Sequence, residues 1–132
     1  MMVASKAAQS KVERATLDQL LKKPPRTASV EVTVDGGKAT MLFRALGAKA
    51  YDDLLAEHPP TKKDKEDGGV WNGDTFPPAL IAASSMDPKI SVEEATQVWT
   101  SPDWSRGELY DMFSRLVRLN QEGLDIPFTQ SD

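Results

Sequence analysis

The chain has 132 residues, enough for one domain with a modest core, and a net charge of -4 at pH 7. It has no cysteine and one histidine, which excludes disulfides, thiolate catalysis and clusters of Cys or His around a metal. No apolar run approaches the ~18–20 residues of a membrane helix, and Met1 to Lys6 lack the apolar stretch of a secretory signal. Charge is uneven along the chain. Through Lys49, nine Lys and Arg stand against four Asp and Glu; beyond it, seven stand against sixteen. Acidic helical surfaces that aid solubility account for this, and so does head-to-tail attraction between copies.

Residues 1–26 read as a weakly structured arm with one short helix. Thr16-Leu17-Asp18-Gln19 has the capping-box pattern, Leu17, Leu20 and Leu21 share a face, and Pro24-Pro25 end the run. The β signal follows. Val30, Val32 and Val34 alternate with polar residues, Asp35-Gly36-Gly37 makes a turn, and Ala39, Met41 and Phe43 share a face of the return strand. This predicts a hairpin over 29–44. Two strands alone are unstable in water, so the hairpin must pack on helices or pair with another chain.

A helix is expected over 48–57, with Tyr51, Leu54 and Leu55 as its stripe and Pro59-Pro60 as its stop. The segment 61–70 is almost wholly polar and charged and reads as a solvated loop. A helix over 76–85 tolerates Pro77 and Pro78 in its first turn, with Asp74 or Thr75 as cap. Capping boxes at Ser91-Val92-Glu93-Glu94 and Ser105-Arg106-Gly107-Glu108 open helices over 92–100 and 105–121. In the last of these, Leu109, Met112, Phe113, Leu116 and Leu119 recur at three- and four-residue steps. Gly123 is a natural stop, and 123–132 reads as an irregular tail. The expected fold is α+β, mainly α: an N-terminal hairpin on about four helices, with the globular part over 27–122.

No catalytic constellation emerges. Gly36-Gly37 and Gly68-Gly69 lack the spacing and the lysine of a phosphate loop. Asp64, Glu66 and Asp67 lack the spacing of a calcium loop, and the remaining carboxylates sit in polar stretches. His58 has no second metal ligand of its kind and reads as a helix-end residue. No catalytic, metal or cofactor residue is assigned. The basic front lacks aromatic interleaving and the helices lack a basic recognition face, so no nucleic-acid partner is expected, nor a membrane. The aromatics cluster at turns: Trp71 and Phe76 flank one, Trp99 and Trp104 another. Such residues anchor helix ends on a core or serve as hot spots for a partner. Under the second reading the partner-binding set is Trp71, Phe76, Trp99, Trp104, Tyr110 and Phe113.

Four strings occur in order: FRALGAKAYDDLLAEHPP (Phe43 to Pro60), WNGDTFPPALIAASS (Trp71 to Ser85), SVEEATQVWTSPDWSRGELYDMFSRL (Ser91 to Leu116) and DIPFT (Asp125 to Thr129). Together they make the chain resemble the tail assembly chaperones of long-tailed bacteriophages, especially those of actinobacteria. The resemblance spans Thr16 to Thr129. The arm before residue 16 looks longer than usual for the family. The resemblance implies a protein that binds the tape measure protein, keeps it soluble and helps tail tube subunits polymerise around it. It further implies the shorter product of a programmed frameshift, in the host cytoplasm and absent from the mature virion. The implied partners are the tape measure protein and the major tail tube protein, with no cofactor and no enzymatic activity. A structural head–tail or tail component retained in the virion is the competing expectation. A small enzyme or DNA-binding regulator ranks last. Self-association is expected from the unpaired hairpin and the uneven charge.

Overall fold

The computed structural model describes residues 13–122; residues 1–12 of the expected arm, the Gly123 stop and the DIPFT tail lie outside the described residues. The fold is α+β and mainly α, with one three-stranded antiparallel sheet and six helices among the described residues. The first helix, α1 (Leu17–Leu21), begins at the Thr16 capping box, where Thr16 and Gln19 exchange hydrogen bonds of 2.9 and 3.1 Å. It buries no residue.

Strands β1 (Thr27–Val34) and β2 (Gly37–Arg44) form the expected hairpin, starting two residues earlier than the pattern alone indicates. The register sets Val30 against Met41 and Ala28 against Phe43, so the apolar side chains share one face. The reversal is closed by Gly36 (φ 97°), a conformation costly for any residue with a Cβ. The hairpin is not left to the helices alone. A third strand, β3 (Ser85–Asp87), pairs with the far end of β2 through Leu42–Asp87 and Phe43–Ser85. Three residues are too few to show an alternation, which is why 76–85 reads in the sequence as helix to its end.

Helix α2 (Ala48–Ala56) buries Tyr51 and half-buries Leu54 and Leu55. Its approach is held by Asn120, whose Oδ1 accepts from the Leu46 N–H at 2.7 Å. Within the expected loop 61–70 lies a short exposed helix, α3 (Lys62–Glu66), a correction to the loop reading. The cause is local. Thr61 and Asp64 form a fourth capping box, with Asp in place of the usual Glu or Gln.

Helix α4 (Phe76–Ser84) is central: every residue from Phe76 to Ala82 is buried, as expected of a helix apolar all round. Thr75 stands at the N-cap position, as expected, but its side chain makes no capping hydrogen bond. Asn72 Oδ1 accepts from the N–H groups of Asp74 (2.9 Å) and Thr75 (3.1 Å), and the Asn72 carbonyl accepts from Phe76 N–H. Ser85 closes the other end, donating to Ala82 O at 2.8 Å and accepting from Ile90 N–H at 3.0 Å. Helices α5 (Val92–Trp99) and α6 (Arg106–Glu122) begin at the expected boxes. Leu109, Met112, Leu116 and Leu119 of α6 meet Phe43, Phe76, Leu80 and Ile81 in one core.

Candidate functional site

Aromatic side chains at helix boundaries form a connected set through the core. Trp71 packs on Phe76 (5.1 Å between ring centroids) and edge-on to Phe113 (5.5 Å); Phe113 in turn meets Phe76 and Trp99 at 5.9 and 6.0 Å. Tyr51 completes the α2 side, edge-on to Phe76 at 6.1 Å. Burial pushes the Tyr51 hydroxyl above its ordinary pKa; a hydrogen bond from Gln121 opposes this, and the nearby Asp52 charge adds to it.

The six aromatics named as a partner-binding set therefore divide. Phe76, Trp99 and Phe113 are buried and cannot touch a partner in this conformation. The reason is geometric: Phe76 opens the most deeply buried helix, and Phe113 lies on the core stripe of α6. Trp71 and Trp104 are half-buried, and Tyr110 is 55% exposed. Tyr110 is not loose. The Arg106 guanidinium lies 5.1 Å from its ring and 5.5 Å from that of Trp99, a cation–π contact that fixes the α5–α6 corner.

A different surface is the stronger candidate. Between α2, the buried α4 and the start of α5 runs an open groove of about 440 Å³. Ala79 and Ala82 make its floor, where small side chains leave depth. Leu54, Ile90 and Val92 form apolar walls, and Val92 is 50% exposed. Glu57, His58 and Lys89 stand at the rim. His58 is oriented by a 2.8 Å hydrogen bond between its Nδ1 and Thr75 Oγ1. An apolar floor with a thin polar rim suits the apolar stripe of an amphipathic helix. Sequence reasoning missed it because the Ala-rich stretch of α4 reads only as core. The available signal was Ile90-Ser91-Val92, apolar residues bracketing a cap.

A second apolar feature faces water. Leu17, Leu20 and Leu21 of α1 are between 62% and 75% exposed. No group of three or more His, Asp or Glu side chains among the described residues is arranged to hold a metal. No helix among them is long and apolar enough to cross a membrane. The donors around the Asp64 carboxylate hold its pKa below the ordinary value. The backbone N–H of Thr61 is the first cause, helped by the Thr61 hydroxyl, the Gly73 N–H and the Lys63 charge, against a smaller opposing effect of burial. Its role is to tie α3 to the turn before α4. No family model, curated protein or solved structure matches the chain.

Proposed function

We propose that this protein is a phage tail assembly chaperone that holds an amphipathic helical segment of the tape measure protein until tube subunits replace it. The observation that carries the reading is the open apolar groove between α2, α4 and α5, which offers an apolar stripe a place to be buried. The ordered strings from Phe43 to Leu116 agree with it, since three of the groove's elements fall within them. A tape measure protein is long and helical, and exposes far more apolar surface than one small chaperone covers. Many copies binding weakly give avidity along its length while leaving each contact reversible. Major tail tube protein then competes for the same stripe. On this reading the protein acts in the host cytoplasm and leaves before the virion is complete, and it needs no cofactor and makes no bond.

Co-expression with the tape measure protein tests the proposal. The tape measure protein should move from the insoluble to the soluble fraction when this chain is present. Val92→Glu, at a half-exposed position, should abolish that effect while leaving the circular dichroism spectrum unchanged. Equal solubility with and without the chain defeats the reading. Abundant peptides of this chain in purified virions would favour a structural component instead.

A further inference from the structure

The sheet order β1-β2-β3 leaves one side of β1 without a partner strand among the described residues. Which groups that side presents follows from the register. In an antiparallel pair, residues alternate between bonding toward the partner strand and away from it. The Arg26 carbonyl accepts from Ala45 N–H at 2.8 Å, continuing the ladder beyond Thr27–Arg44. Even-numbered residues of β1 therefore bond to β2, and Thr27, Ser29, Glu31 and Thr33 aim their N–H and C=O groups outward. No hydrogen bond to those groups is found among the described residues. Between Thr27 and Val34 there is no proline, and Glu31 is the sole charge, so the edge carries little of the protection that keeps edge strands apart.

We infer that this edge pairs with the same edge of a second copy, antiparallel, about a two-fold axis at Val30. The sequence of the strand selects that register. Centred on Val30, each outward residue finds an outward residue: Thr27 opposite Thr33 and Ser29 opposite Glu31, in both directions. Thr–Thr pairing is favourable, and the Ser29 hydroxyl can donate to the Glu31 carboxylate. On the inner face the half-buried Ala28 stands opposite the half-buried Val32, while Val30, on the axis, stays covered by its own core. Centring on Glu31 would set two carboxylates face to face. Centring on Ser29 would place Thr33 opposite Pro25, which has no N–H to give. Centring on Val32 drives the pairing into the Asp35-Gly36 turn.

Room exists on the inner side. A cavity of about 220 Å³ opens along the second half of β1, walled by Val30, Val32, Trp104, Glu108 and Met112. The half-buried Ala28 of an incoming copy comes to its mouth, where the small side chain falls opposite Val32. The result is one continuous six-stranded sheet with both helical layers on the same face. This inference stands apart from the proposed function, since the groove between α2, α4 and α5 is not part of the edge.

The experiment uses the full chain, whose lack of cysteine makes introduced thiols unambiguous. Ser29→Cys and Glu31→Cys copies, distinguishable by a tag, are oxidised alone and mixed. Opposed residues in this register lie ~5.5 Å apart at Cα, within the span of a disulfide. Position 29 is ~8–9 Å from its own mate and beyond that span. The mixture should yield disulfide-linked heterodimer and each variant alone should stay largely unlinked. In parallel, sedimentation should show a dimer for the native chain. Ser29→Pro removes an outward N–H without touching the β1–β2 ladder, and should weaken dimerisation about thirtyfold, two hydrogen bonds per dimer being lost. A native chain that is monomeric at every concentration overturns the inference. So does a dimer unaffected by Ser29→Pro, or cross-linking with no preference for the mixture. If Ser29→Pro does not fold, the cross-linking pattern decides alone.

Discussion

Helices α1 and α6 start from the same instruction and end in opposite states. Both open at a capping box, Thr16 with Gln19 and Ser105 with Glu108, each with reciprocal hydrogen bonds near 3 Å. Both carry leucines at helical spacing. Yet α6 buries Leu109, Met112, Phe113, Leu116 and Leu119, and α1 buries nothing. The difference is length and neighbours. Seventeen residues let α6 run its stripe past β1 and α4, whereas the five of α1 expose one patch, followed by Pro24-Pro25. A cap and a period specify that a helix starts and which face is apolar. They do not specify that the face is covered.

The largest test of that contrast is a pair of truncations. Leu116→Ala removes a fully buried side chain and should destabilise the protein by about 3 kcal/mol in urea unfolding. Leu20→Ala should change it by under about 0.5 kcal/mol. Equal effects would show that α1 is covered in solution. The caps sharpen the comparison at a smaller scale. Ser105→Ala should cost about 1 kcal/mol of global stability, because α6 belongs to the cooperative core. Thr16→Ala should leave the unfolding midpoint where it is, and lower only the amide protection of α1.

Helix α3 lies between these extremes: as short as α1, yet tied by Asp64 to Thr61 and to the turn at Gly73. The Asp64 carboxyl titrates below its usual 3.8, since the donors around it favour the charged form. Its folded-state value is thus lower than its unfolded one. The contribution is present above about pH 4 and is lost as pH falls through the depressed value. Hydrogen exchange at Asp64, Lys65 and Gly69 should accelerate over that window, and Asp64→Asn should remove the dependence.

Much of this fold was legible before the structure. The boxes at Thr16, Ser91 and Ser105 and the alternation from Val30 to Phe43 are local signals, carried by neighbouring residues, and each element formed where they indicated. Less was legible at the surface. The box at Thr61 was hidden in a stretch without apolar residues, and β3 was too short to show a period. The aromatics were the least readable part. Nothing local distinguishes Phe76, sealed at the start of α4, from Tyr110, exposed on α6.

The chain's own order of residues thus determined where helices begin, which strand faces are apolar and how the hairpin turns, because those depend on contacts within a few residues. Tertiary structure alone decided which apolar faces were used up. It buried nearly all of α4, left an open groove along its Ala79–Ala83 side, matched β3 to β2 and left the outer edge of β1 open. Those outcomes depend on which surfaces meet across long sequence separations, and solvent exposure is a property of the assembled chain rather than of any segment.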